Sequence, residues 1–146
     1  MTNPVEYLSF EVSGEGYAID IALTREIRGW TEPSVMPEAQ DFEMGVINLR
    51  GEILPLIDLA TKLGLPTPKI HARSVIIVAE VNGIAVGLLV DSVSNIISPS
   101  QEEIRNPPDT GADAGGSYVS ALTIIDDKMV RILDLASVLM PEGKAA

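Results

Sequence analysis

Glu11-Val12-Ser13-Gly14 returns as Glu80-Val81-Asn82-Gly83, three residues in four identical and 69 positions later (83 − 14). The reading of the whole chain follows from that recurrence. Before the glycine, Leu8 and Phe10 match Ile77 and Ala79; after it, Ile19, Ile21 and Ile27 match Leu88, Val90 and Ile96. Further on, Asp58-Leu59-Ala60 returns as Asp134-Leu135-Ala136, now 76 positions later (134 − 58). Ile53, Leu54, Leu56 and Ile57 match Met129, Val130, Ile132 and Leu133 at the same spacing. Two repeats are too few for a solenoid, so the ordered matches describe a duplicated small domain. The spacing grows by seven (76 − 69), and the Pro/Gly/Asp stretch from Asn106 to Gly116 accommodates the extra residues as a mobile loop.

Each repeat reads mostly as strand. Tyr7 to Val12 and Ser74 to Val81 are β-branched and aromatic-rich and end in glycine turns, with Tyr17 to Ile21 and Ile84 to Val90 returning across them. Gly45 to Leu49 and Ile53 to Ile57 flank Arg50-Gly51; Tyr118 to Ile125 and Lys128 to Leu133 flank Asp126-Asp127. Pro55 inside a strand predicts an edge or a bulge. Asp58 is placed to cap a short helix over Leu59 to Leu63 closed by Gly64, and Asp134 one over Leu135 to Met140 stopped by Pro141. Ser100 to Glu103 has the spacing of a capping box. Four or five strands in about 60 residues suit a small closed barrel, which leaves no exposed sheet edge. The chain is therefore expected to be mainly all-β, with short helices, as two small barrels in tandem. A single larger sandwich is the alternative. The first barrel would span residues 7–65 and the second 73–139, joined through Pro66-Thr67-Pro68-Lys69, and an exchange of strands between them is compatible with the pattern.

Composition narrows the function. A length of 146 residues allows one domain or two very small ones, and a formal charge of −11 argues against nucleic acid or anionic membrane as a partner. No apolar run approaches the length of a membrane span, and the first residues lack a signal-peptide pattern. The absence of cysteine removes disulfides and thiolate metal sites and fits a cytoplasmic location. His71, the only histidine, lies in the joint between repeats with no second histidine to complete a metal site or any nucleophile-elbow motif to complete a triad. Ser13-Gly14-Glu15-Gly16 lacks the lysine of a phosphate loop, and Asp126-Asp127 lacks the spaced oxygens of a calcium loop. No catalysis, cofactor or metal is expected. An autonomous small-ligand or carbohydrate-active barrel is the competing class.

Gly45-Val46-Ile47-Asn48-Leu49-Arg50-Gly51-Glu52-Ile53-Leu54-Pro55-Leu56-Ile57-Asp58-Leu59 resembles the signature of the CheW family. Tyr17 to Ile21, Glu26-Ile27 and Val86 to Val93 are similar to further family segments, so the resemblance covers a CheW-like domain over about 7–139. It implies two five-stranded SH3-like barrels and a non-catalytic chemotaxis adaptor. Such an adaptor bridges the cytoplasmic tips of chemoreceptors to the regulatory domain of CheA histidine kinases and is recruited from the cytoplasm to receptor arrays.

Several residues carry that expectation. Arg50 stands at a hairpin tip where the other repeat has Asp126, so the fold does not demand its charge, and its planar fork suits receptor carboxylates and carbonyls. Glu26 matches the uncharged Asn95. The resemblance places Arg50, Glu26, Thr24 and Asn48 at the receptor surface; Thr24 stands where the family usually has an aliphatic residue, which bears on receptor choice. Asn48 is also suited to brace the turn, and Gly51 to adopt positive φ. Gly45, Val75 and Ile76 are implied in kinase docking, although alternation lets only one of the last two point outward. Trp30 is expected to close a barrel end, or else to serve as an interface anchor.

Overall fold

The computed structural model describes residues 5–37, 41–66, 74–106 and 118–139. Ten strands run β1 Tyr7–Val12, β2 Glu15–Asp20, β3 Thr24–Gly29, β4 Glu43–Leu49, β5 Glu52–Asp58, β6 Val75–Val81, β7 Ile84–Val90, β8 Ser92–Ile97, β9 Val119–Ile125 and β10 Lys128–Leu133. Helix α1 (Leu59–Lys62) follows β5, α2 (Leu135–Leu139) follows β10, and 3₁₀ turns occupy Ile21–Leu23 and Gln101–Glu103. Among the described residues no helix is long and apolar enough to cross a membrane.

Turn chemistry sets the hairpins. Ser13-Gly14, Arg50-Gly51, Asn82-Gly83 and Asp126-Asp127 all have positive φ, and the strand residues on either side of each pair face each other. Two-residue loops of this kind match the right-handed twist of the strands they join.

The strands assemble into two five-stranded sheets, ordered β8-β1-β2-β10-β9 and β3-β6-β7-β5-β4. Each curls into a small barrel, so one larger sandwich is not what forms. The contiguous ranges 7–65 and 73–139 are not the barrels, however. Barrel A takes β1 and β2 from the first repeat and β8, β9 and β10 from the second; barrel B takes the complement. The exchange follows from short connections. A 3₁₀ turn capped by Asp20, whose Oδ1 accepts the Ala22 N–H at 2.9 Å, carries the chain out of β2 and across to β3. Asp91 alone joins β7 to β8; its N–H donates to the Glu11 carbonyl at 2.9 Å and its Oδ2 accepts the Ser13 N–H at 2.9 Å.

Register repeats with the sequence. Ile27 faces Ile77 as Ile96 faces Leu8, and Leu56 faces Gly87 in parallel as Ile132 faces Ala18. Barrel B is closed by reciprocal Ser34–Val46 hydrogen bonds at 2.9 Å, and barrel A by reciprocal Arg105–Leu122 bonds at 2.8 Å. Val46 and Leu122 keep the spacing of 76 (122 − 46), whereas Ser34 and Arg105 are 71 apart (105 − 34). Five of the seven additional residues therefore lie between Arg105 and Leu122. Of the segment read as a mobile loop, all but Asn106 lies outside the described residues, as do the inter-repeat joint from Thr67 and His71.

Apolar residues fill three layers. Ile47, Leu49, Leu54, Leu56, Ile76, Val78 and Leu89 pack inside barrel B, and Ala18, Ile97, Val130 and Ile132 inside barrel A. The largest cluster lies between the barrels, where Phe10, Tyr17, Ile19, Ile77, Leu88, Leu59 and Leu135 meet. Pro55 is neither in an edge strand nor at the bulge, which falls in β4 between Glu43 and Gly45. Pairing of β5 with β7 begins only at Leu56, so the missing N–H lies where β5 has a single neighbour. Asp58 precedes α1, but its carboxylate accepts from Thr61 Oγ1 at 2.9 Å and not from a helix N–H; Asp134 and Ser137 repeat the bond at 2.9 Å. Glu103 Oε1 accepts the Ser100 N–H at 2.8 Å, as the capping-box spacing predicts.

Candidate functional site

The mouth of barrel B carries the densest set of charges among the described residues. Gly51 donates its N–H to Asn48 Oδ1 at 2.9 Å, which braces the β4–β5 turn and fixes where Arg50 projects. Opposite, β3 bulges between Thr24 and Glu26, so its alternation is offset against β6 and Glu26 and Arg28 share one face. The Arg50 guanidinium donates to Glu26 Oε1, and Arg28 Nη1 lies 3.4 Å from Glu26 Oε2. Beside them Arg25 Nη2 is 3.2 Å from Glu52 Oε1, and its Nη1 is 3.4 Å from Glu80 Oε1. Three arginines and three glutamates thus tie β3, β6 and the β4–β5 hairpin together across the open end of the barrel.

Electrostatics follow the contacts. The Arg50 hydrogen bond holds the Glu26 carboxyl below the usual glutamate range, against a smaller opposing effect of burial, and Arg28 adds to the lowering. Glu26 raises the Arg50 guanidinium further, and Glu52 does the same for Arg25, in both cases mainly through the hydrogen bond. Solvent-exposed ion pairs add little stability, so the network is better understood as orientation. Arg50 leaves 67% of its side chain exposed while Glu26 leaves 26%, so the acid anchors and the arginine presents.

The other expected residues divide. Thr24 Oγ1 is buried without a hydrogen-bond partner, so the hydroxyl does not face outward. Gly45, at φ 138°, is buried; a Cβ there would collide with the Ser34 carbonyl that closes the barrel. That is a packing role, and it leaves Gly45 no side-chain surface to offer a kinase. Ile76 is 0% exposed inside barrel B and cannot make the docking contact expected of it, whereas Val75 keeps part of its surface. Trp30 packs against the barrel B interior, as a residue closing a barrel end should.

Reading the sequence missed four members of the network: Arg25, Arg28, Glu52 and Glu80. It also missed β3 and β8 as strands, since Thr24-Arg25-Glu26-Ile27-Arg28-Gly29 is rich in charge and Ser92-Val93-Ser94-Asn95 is mostly small and polar. The available signal was the clustering of charge within an otherwise apolar repeat.

Two five-stranded barrels with exchanged hairpins and an ionic network at one mouth define the class, a small β scaffold. The family model for the CheW-like domain matches residues 6–141. The chain is 39% identical over 141 residues to the chemotaxis protein CheW of Rhizobium meliloti, covering 97% of this chain and 91% of that one. It is 40% identical over 130 residues to a probable chemotaxis protein CheW of Rhizobium etli, covering 89% and 84%. The crystal structure of the scaffolding protein TtCheW from Thermoanaerobacter tengcongensis superimposes with a TM-score of 0.87 at 32% identity, covering 99% of this chain and 93% of that one. The chain belongs to the CheW family.

Proposed function

We propose that this protein is a chemotaxis adaptor that couples transmembrane chemoreceptors to a CheA histidine kinase by protein–protein binding, without catalysis, on the cytoplasmic side of the membrane. The observation that carries the reading is the state of Arg50. It occupies φ 51°, a conformation that glycine or asparagine adopts more readily, and yet it is an arginine, anchored by Glu26 and mostly exposed. The Asp126 tip shares this backbone conformation at φ 52°, so what sets Arg50 apart is its charge, its anchor on Glu26 and its exposure. A guanidinium fork held in this way can donate to carboxylates and end-of-helix carbonyls on a receptor hairpin. Glu26 positions it, and Asn48 shapes its turn. Val75, with Ile27 and Ile53 at 47% and 58% exposure beside the charged residues in sequence, supplies apolar surface for reversible docking.

Two measurements test this. Titration calorimetry of the purified protein with a CheA regulatory domain should give a complex without ligand or metal; no heat at about 100 µM would remove the adaptor reading. In reconstituted arrays Arg50→Ala should abolish receptor control of the kinase, while Asp126→Ala at the matching tip leaves it intact. Both variants should melt in denaturant close to wild type. Equal loss of coupling, or unfolding of Arg50→Ala, would reduce Arg50 to a turn residue.

A further inference from the structure

The duplication supplies a second barrel mouth, and its chemistry is not a copy of the first. Stepping from barrel B to barrel A by the two repeat spacings turns Arg25 into Ser94, Arg28 into Ile97 and Arg50 into Asp126. Every arginine of the ionic mouth is gone. The acids fare differently: Glu80 is kept as Glu11, Asp126 is gained, Glu26 becomes Asn95 and Glu52 becomes Lys128. Where arginine stems and head groups span barrel B, barrel A has an open cavity of about 470 Å³, lined by Ser9, Ile97, Ile125 and Val130, by the acids Glu11 and Asp126, and also by the cations Lys128 and Arg131.

The interior beneath is built to match. Ser9 and Thr123 stand where barrel B has Val78 and Ile47, and Val130 replaces Leu54, so the wall is smaller and more polar. Ser9 Oγ accepts the Asn95 N–H at 3.1 Å and holds β8 at the wall. At the rim Arg131 is committed to Glu15 at 2.9 Å, while Glu11 and Asp126 make no ion pair among the described residues. A cavity of this size, with Ile97, Ile125 and Val130 beside polar groups on its wall and with Glu11 and Asp126 at its mouth, suits a cation on an apolar stem.

We propose that the mouth of barrel A binds an arginine side chain of a partner protein, presented between apolar residues, and that this guest supplies from outside the guanidinium that barrel B carries in its own chain. Its stem lies against Ile97, Ile125 and Val130 and its fork reaches Asp126 and Glu11. The site is separate from the Arg50 mouth and its occupation does not depend on receptor coupling.

The test uses the whole protein, ¹⁵N-labelled, titrated with the capped peptide acetyl-Leu-Arg-Leu-amide and with its citrulline counterpart, which keeps the shape and loses the charge. The arginine peptide should move the amides of Gly14, Gly16, Asn95 and Asp126, saturating in the range of about 1 mM as befits a three-residue fragment. Glu11→Gln with Asp126→Asn should weaken it by about tenfold, the consequence of removing both charge partners. Asparagine tolerates the positive φ of position 126, and an unchanged spectrum elsewhere shows that the fold is kept. Asp126→Arg, which puts at this tip the arginine that barrel B has at the matching one, should abolish binding, and Arg50→Ala should leave it unchanged. Equal binding of the citrulline peptide, shifts confined to the Glu26 and Arg50 amides, or no shifts up to about 10 mM would each overturn the proposal.

Discussion

Arg50 and Glu26 sit 24 residues apart in sequence, and only their meeting gives either one a defined role. Because the Arg50 hydrogen bond is the main cause of the lowered Glu26 carboxyl, removing the arginine should be visible at the acid. In a ¹³C titration of side-chain carboxyls, Glu26 should stay ionised below the usual glutamate range in wild type and return toward that range in Arg50→Ala. The sign follows from linkage: a carboxyl depressed in the folded state contributes fully above its unfolded range, and the contribution is lost as pH falls through the depressed one. Coincident titration in the two proteins would mean the pair does not persist in solution. Thr24 makes the complementary point. Its buried hydroxyl has no partner, and Thr123, at 0% exposure, repeats the situation in barrel A. Valine has the same shape without the polar atom, so Thr24→Val and Thr123→Val should each stabilise by about 1 kcal/mol. A urea midpoint that falls would reveal a hydrogen bond to water or protein that the hydroxyl needs.

Strands and turns repeat more faithfully than side chains. The bulge between Glu43 and Gly45 opposite Leu56–Ile57 recurs between Val119 and Ala121 opposite Ile132–Leu133. Within that shared bulge, position 45 is glycine at φ 138° and its equivalent is Ala121, absent from the positive-φ residues. The difference is the approach of Ser34, whose carbonyl occupies the space of a Cβ at position 45. Gly45→Ala should therefore cost about 2–4 kcal/mol by straining φ and prying open the Ser34–Val46 closure. Ala121→Gly, which only frees the backbone, should cost about 1 kcal/mol or less. Denaturant midpoints of the two variants decide it, and similar small losses would show that the closure yields. Any effect of Gly45→Ala on kinase binding is then expected through barrel B, not through a lost contact.

At the scale of the molecule, the exchanged hairpins make the two repeats inseparable. Neither repeat alone contains a full sheet, and the largest apolar cluster draws on both. Lys62 adds a link of another kind. Its side chain is 8% exposed, with Nζ 4.0 Å from the Phe42 ring centre and 5.7 Å from that of Tyr118, aromatics that stand at equivalent positions before β4 and β9. The ammonium thus joins the start of one barrel's hairpin to the start of the other's. Lys62→Met keeps the stem and removes the cation, and should lower stability by about 1 kcal/mol. A more stable variant would instead show that desolvating the ammonium outweighs its attraction to the rings.

The sequence by itself determined the local and the periodic. Glycine and short polar residues at the four turns, strand-period apolar runs and the spacings of 69 and 76 were enough for a duplicated small barrel with four strands placed in each repeat; the count of five rested on the family resemblance, and β3 and β8 were not placed. They were also enough for Arg50 at an exposed tip and Gly51 at positive φ, because turn chemistry acts over a few residues. Only the tertiary structure decided which hairpin joins which barrel, since β1–β2 and β6–β7 carry similar edges and either assignment satisfies their hydrogen bonds locally; the exchanged one follows the short crossings after Asp20 and at Asp91. It also decided that Ile76 points inward while Val75 keeps surface, because alternation leaves the phase open until a neighbouring sheet fills one side. And it brought Arg25, Arg28, Glu52 and Glu80 to one mouth, because an ion-pair network depends on strands far apart in sequence being laid edge to edge.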